Sequence, residues 1–158
     1  MPVLTRDDVV FALNTGDEPS QILDRLGPGV LPFLPTLIAD VGNPGLAVRA
    51  AYLAGFIEVP AALQALAAAS RSPLEVVRVA VASAFARLSV AGQRGLADAL
   101  LRDESAHVRR VALDGLVAGS ATARPVTSLL RRLAEKDPDV QVRESAAFQL
   151  ARVHGSHR

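Results

Sequence analysis

Four short segments in register constrain this chain more than any other feature. Residues 43–49 read Asn43-Pro44-Gly45-Leu46-Ala47-Val48-Arg49, and 72–78 read Ser72-Pro73-Leu74-Glu75-Val76-Val77-Arg78. Residues 103–109 read Asp103-Glu104-Ser105-Ala106-His107-Val108-Arg109, and 137–143 read Asp137-Pro138-Asp139-Val140-Gln141-Val142-Arg143. Each begins on a small polar residue, three of the four follow it closely with Pro, and all end in Val-Arg before an Ala-rich run. The arginines are 29, 31 and 34 residues apart. A period of this size is the signature of stacked supersecondary units, each unable to bury its apolar face alone.

The segment has a mechanical reading. Asn, Ser or Asp caps a helix by accepting from a free backbone N–H, and Pro suits the first helical position because its missing donor is unpaired there anyway. Asn43, Ser72, Asp103 and Asp137 are therefore expected to open helices. Val48, Val77, Val108 and Val142 precede the arginine, Leu53, Ala82, Leu113 and Ala147 lie four after it, and Phe56, Phe85, Leu116 and Leu150 lie seven after it. These offsets share one helix face, so each copy predicts an amphipathic helix with its buried stripe in the same place. Further helical segments are expected over residues 31–41, 60–70, 91–102 and 124–136, which pairs the helices into four hairpins.

The repeated Asp-Pro-x-x-x-Val-Arg pattern and the Ala-rich second helix resemble HEAT repeats, in particular the short HEAT-like repeats named after the phycobilisome lyases. The resemblance spans about residues 30–154. It implies an all-α fold, a right-handed α-α superhelix (α-solenoid) of about four HEAT-like hairpins over 30–58, 59–89, 90–119 and 120–154. Residues 1–29 would supply two N-terminal capping helices, and 155–158 a frayed tail. In such repeats the signature arginine pairs with the Asp or Asn of the turn between repeats. Arg49, Arg78, Arg109 and Arg143, with Asn43, Asp103 and Asp137, are accordingly expected to form a structural ladder. Ser72 departs from that pattern.

Composition agrees with a helical stack. A chain of 158 residues fits one domain, Ala is abundant, and aromatic residues are only 4 %, which favours close helix packing over sheet. Cysteine is absent, which excludes disulfides and cysteine–metal sites and is compatible with a reducing, cytoplasmic setting. The N-terminus carries Arg6, Asp7 and Asp8 before any apolar run develops, so no signal peptide is expected. The most apolar stretch, 30–39, contains Pro32 and Pro35 and is far shorter than the roughly 20 residues a membrane span needs. Thr5 is expected to cap a first helix to about Asn14, and Pro19 to open a second to Gly27. Those two Pro residues also predict a shortened helix after residue 31, and 119–122 is expected to be a loop.

Net charge is only +1, but it is uneven. Residues 1–70 hold three Arg against seven acids, and 71–158 hold fourteen Arg and Lys against nine, giving −4 and then +5. A nucleic-acid surface on the basic half is one reading of this asymmetry. The better candidates for binding are side chains off the apolar stripe: Arg87, Arg110, Asp114, Glu144, Phe148 and Arg152. If the second helices line the inner surface, as the resemblance implies, these residues face a groove, and their mixed signs point to a protein partner. Ala50, Ala54, Val79 and Ser83 take the matching outward places in the first two repeats and would leave room for a partner's helix.

No catalytic constellation stands out. There is no phosphate-cradling Gly motif and no nucleophile elbow. Asp7-Asp8 and Asp137-Asp139 are explained as helix-start residues, and His107 has no Ser, Cys or Asp arrangement that would make it a base. His154 and His157 stand at helical spacing with no third ligand. DNA glycosylases of HEAT-like fold use aromatic residues and an acid in a basic groove. This chain has no Trp, and its one Tyr, Tyr52, is expected on the core side of its helix. The expectation is a non-catalytic protein-binding module without cofactor or metal, a monomer or a weak homodimer through its last face. The alternatives are nucleic-acid binding and an accessory or chaperone role beside a maturation enzyme.

Overall fold

A computed structural model describes residues 3–155, and all of their regular structure is helical. The chain opens with α1 (Arg6–Asn14) and α2 (Pro19–Leu26), followed by a 3-10 turn over Gly27–Val30. Then come α3 (Leu34–Ile38), α4 (Pro44–Ala54), α5 (Pro60–Ala69), α6 (Glu75–Phe85), α7 (Val90–Leu101) and α8 (Ala106–Gly115). The short α9 (Ala118–Ala121) leads into α10 (Arg124–Lys136) and α11 (Val140–Gly155). No helix of the described residues is long and apolar enough to cross a membrane.

Neighbouring helices pack in pairs, α3 on α4, α5 on α6, α7 on α8 and α10 on α11. Across pairs the contacts fall into two rows. One runs α3, α5, α7, α10, and the other runs α4, α6, α8, α11. Between them lies one continuous core in which Leu37, Leu53, Leu66, Phe85, Leu100, Leu113 and Leu130 are fully buried. At the N-terminal end α1 lays Val9, Ala12 and Leu13 inward and packs on α4.

Local signals place most of the helix ends. Thr5 and Asp8 form a reciprocal capping box, Asn43 caps α4 by accepting from Leu46 N, and Pro44 fills the first helical position. Pro35 leaves α3 only five residues, as expected from the proline spacing. Ser89 caps α7 by accepting from Gly92 N, and it is itself held from the preceding hairpin: the Glu58 carboxylate accepts from Ser89 N at 3.1 Å and from the Ser89 hydroxyl. Those two bonds, the hydroxyl's first, hold the Glu58 carboxyl below the usual glutamate range.

Three helix starts differ from expectation. Helix α6 begins at Glu75, α8 at Ala106 and α11 at Val140, each three residues after the Ser72, Asp103 or Asp137 expected to open it. The capping side chains of α8 and α11 are Ser105 and Asp139, which accept from Val108 N and Val142 N. Ser72 instead accepts from Leu74 N within the preceding turn. Two smaller corrections join these. The stretch 119–122 lies largely in the one-turn helix α9, because Val117 O accepts from Ser120 N and Ala121 N. Helix α11 also runs through Gly155, so only 156–158 of the expected tail, with His157, lie outside the described residues.

The displaced starts serve the arginine ladder. Arg78 donates from Nη1 to Ser72 O at 2.9 Å, Arg109 to Asp103 O at 2.8 Å and Arg143 to Asp137 O at 2.7 Å, the same six-residue reach each time. With Nη1 so anchored, Arg78 Nε and Nη2 meet the Asp103 carboxylate at 2.9 and 3.3 Å, and Arg109 meets Asp137 at 2.8 and 2.8 Å. Each bidentate pair therefore reaches forward to the next turn. The aspartate also accepts from the backbone two residues on, at Ser105 N and Asp139 N. Asp103 raises the already high Arg78 pKa, the larger effect, against the opposing cost of burial. Arg49 departs: its helix starts earlier, and its guanidinium reaches back to Asn14 Oδ1 at 2.5 Å, not to Asn43 or Ser72.

Small residues set how closely the second row packs. A Cβ on Gly55 would sit 2.6 Å from Ala84 Cβ and 2.9 Å from Ala84 Cα, and one on Gly115 would sit 2.7 Å from Ala86 Cβ. Gly55→Ala is expected to cost about 1–3 kcal/mol through overpacking. Gly95→Ala, inside α7 with nothing within 4 Å of the new methyl, should gain about 0.5–1 kcal/mol. Urea melts of the two variants check the contrast, and equal midpoints would refute the close approach.

Candidate functional site

The side chains off the apolar stripe divide into two clusters. The first lies on α4 and just past α6. The Arg87 guanidinium carbon stands 4.0 Å from the Phe56 ring centre and 5.3 Å from that of Tyr52, and Arg87 Nη2 donates to the Tyr52 hydroxyl at 2.8 Å. Tyr52 and Phe56 meet edge to face with centroids 5.6 Å apart. An exposed cation on an aromatic face is worth about 0.5–1 kcal/mol, which biases this arginine toward the platform. Tyr52 is thus only half-buried, its ring and hydroxyl engaged by Arg87, which corrects its expected place on the core side. Exposed Arg87 keeps donors for a planar anion such as a carboxylate.

The second cluster lies between α8 and α11. Asp114, Glu144, Ser145, Phe148, Gln149 and Arg152 line an open cleft of about 320 Å³. Its base is the buried Gln149, whose Nε2 donates to Leu113 O at 2.6 Å, a second donor beside Leu116 N for a carbonyl near the end of α8. Gln149 Oε1 accepts from Arg152 Nη1 at 3.2 Å, and the Arg152 guanidinium carbon is 6.0 Å from the Phe148 ring centre. Ser145 donates to Asp114 Oδ1 at 3.3 Å. Phe148 is 64 % exposed, an unusual state for a phenyl ring, and the exposed Glu144 lines the same cleft.

Of the six side chains singled out from sequence, the cleft brings together Asp114, Glu144, Phe148 and Arg152. Arg87 belongs to the aromatic platform. Arg110 is used differently: its Nη1 donates to the Gln141 side chain, tying α8 to the start of α11, and it does not line the cleft. Ala50 and Ala54 are fully buried, not outward, because α4 is covered by α1 as well as by α6. Val79 and Ser83 are half-buried, and the Ser83 hydroxyl is turned back onto Val79 O. The small-residue half of the expected groove is therefore packed protein.

Sequence reasoning missed Gln149 as the floor of the cleft and Gln93 as a buried polar link. In a helix of alternating apolar and polar residues each looks like an ordinary surface Gln, and only the neighbouring helix ends explain it. A mostly apolar cleft of about 230 Å³ between α3 and α5, with Ile38, Val41, Ala65 and Pro73 in its wall, was also not foreseen. Among the described residues no group of three or more His, Asp or Glu is placed to hold a metal ion. His107 is exposed, and His154 Nδ1 lies 2.8 Å from Leu150 O. No family model matches the chain, and no curated protein matches it in sequence.

Proposed function

We propose that this protein is a non-catalytic interaction module: a right-handed superhelix of four HEAT-like hairpins, behind two capping helices, that takes a helix or peptide of a partner protein along its second-helix row. The observation that carries this reading is the cleft between α8 and α11. An exposed phenyl ring flanked by two carboxylates on a rigid floor suits a basic or amphipathic segment, the apolar part on Phe148 and the cation toward Asp114 and Glu144. Arg152, beyond the ring, would meet an acid one helical turn further along the ligand. Because the helices already stand in place, binding orders little of this chain, which limits the entropic cost. A reducing cytoplasm remains the compartment we infer.

The arginine ladder offers little support to a nucleic-acid track. Arg78 and Arg109 are buried and each is engaged by an aspartate, which leaves their charge unavailable to phosphate.

The test is affinity capture from the source lysate, with and without nuclease, comparing wild type with Phe148→Ala and with Asp114→Lys/Glu144→Lys. A nuclease-resistant protein partner should be recovered, with affinity for either variant at least about tenfold weaker, as for a central aromatic anchor. Recovery of nuclease-sensitive material alone, or equal capture by the variants, would overturn the reading.

A further inference from the structure

The arginine ladder repeats one geometry and leaves its last copy half used. In Arg78 and Arg109 the Nη1 edge is held by carbonyls of the turn six residues upstream, and the Nε–Nη2 edge grips an aspartate of the following turn. Arg143 repeats the first half, with Nη1 donating to Asp137 O at 2.7 Å and to Pro138 O at 3.2 Å. Among the described residues its Nε–Nη2 edge meets no side chain, and the residue is only half-buried. The helix around it is uncovered in the same direction. Ala147 is exposed where its counterparts Leu53, Ala82 and Leu113 are fully buried, and Val140 and Ala151 are exposed beside it.

We propose that Arg143 and this face of α11 form a docking site for a helix of another protein that opens on aspartate. The chemistry is set by the two internal examples. The ligand is a carboxylate in a tight turn, gripped by the guanidinium fork while accepting the N–H two residues on, with the helix that follows laid on Val140, Ala147 and Ala151. A planar fork anchored on one edge is already ordered for a second bidentate contact. A second copy of this chain offers no free turn of this kind, and the Asp17 ahead of its α2 is paired with Arg25 at 2.9 Å. Its Asp103 and Asp137 are buried and already gripped, and Asn43, at the equivalent place in the first repeat, has no charge. The site is separate from the Asp114–Phe148 cleft and does not depend on the reading given to that cleft.

The experiment is a titration of the full chain, followed by NMR of the arginine Nε–H signals. The probe is a blocked helical peptide carrying the sequence of residues 137–151 with its own arginine replaced by Gln, and a control peptide has Asn in place of the leading Asp. The Arg143 Nε–H signal should move on addition of the Asp peptide. Affinity should fall about tenfold with the Asn peptide, and about tenfold with Arg143→Lys, which keeps charge but not the fork. The Asn-peptide arm leaves the protein unaltered, so it reports even if the Lys variant folds poorly. Equal binding of the two peptides, no binding of either, or shifts confined to Phe148 and Asp114 would overturn the proposal. So would concentration-dependent association of the chain with itself that Arg143→Lys abolishes, because a second copy would then be the occupant.

Discussion

Replacing Asp137 with Ala should lower the unfolding free energy by about 3–5 kcal/mol, the range for breaking one side of a buried ion pair. The carboxylate is buried and accepts three bonds: two from Arg109 at 2.8 Å and one from Asp139 N at 2.9 Å. Without it, a guanidinium that is itself buried keeps its charge and loses its partner. An exposed pair provides the contrast. Arg102 and Asp98, one turn apart on α7, also meet at 2.7 Å, but Asp98→Ala should cost no more than about 0.5 kcal/mol because water and ions screen the pair. Urea denaturation of both variants makes the comparison. A third variant separates a missing partner from a missing contact. Arg109→Met with Asp137→Leu removes both charges and should recover most of the loss. A cost below about 1 kcal/mol for Asp137→Ala would show that the ladder is not what fixes one repeat on the next.

The arginines themselves were legible because their spacing is periodic, and so was the stripe of Val77, Val108 and Val142, which a 3.6-residue period places on one face. Where the helices begin was less legible, for a reason the ladder supplies. The carbonyls of Ser72, Asp103 and Asp137 are needed as acceptors for Nη1, and the Asp103 and Asp137 carboxylates are needed by the preceding arginine. The cap then falls to the next polar residue, Ser105 or Asp139. A single segment read alone offers both choices, since the competing demand comes from a residue about 30 positions away. Ala50 and Ala54 show the same limit on the packing side. Their own helix leaves them off the stripe, and they are buried because both α1 and α6 pack on α4. Phe148 could be singled out because its counterparts Ala54, Ser83 and Asp114 are small or polar, whereas the Gln149 floor beneath it depends on where α8 ends.

Gln93→Leu should be nearly as damaging, by about 3 kcal/mol, although the substitution removes no charge and little volume. Gln93 is completely buried and all of its polar atoms are used. Its Nε2 donates to Phe85 O at 2.9 Å and to Gly115 O at 2.8 Å, and its Oε1 accepts from Val117 N at 3.0 Å. Phe85 and Gly115 are the last residues of α6 and α8. Phe85 O also accepts from Leu88 N at 3.1 Å, whereas Gly115 O, a helix-end carbonyl, takes its donor from Gln93. One side chain on α7 thus terminates two successive second-row helices and fixes the turn into α9. Leucine would leave Gly115 O and Val117 N–H without partners, at about 1–3 kcal/mol each, and take one of two donors from Phe85 O, offset in part by the more favourable burial of an apolar side chain. Gln149→Leu is the scaled control: its Nε2 serves a single carbonyl, Leu113 O, which also accepts from Leu116 N, so the change should cost about 0.5–1.5 kcal/mol. Thermal melts rank the two. Amide exchange adds a local readout, because Val117 N–H should lose protection in Gln93→Leu while the Val108 N–H at the start of α8 keeps its own. If both amides change together, the variant has loosened the whole stack and the link is not local. If neither changes and stability holds, the Gly115 and Val117 groups have other partners, and the joint between the second and third hairpins rests on apolar packing alone.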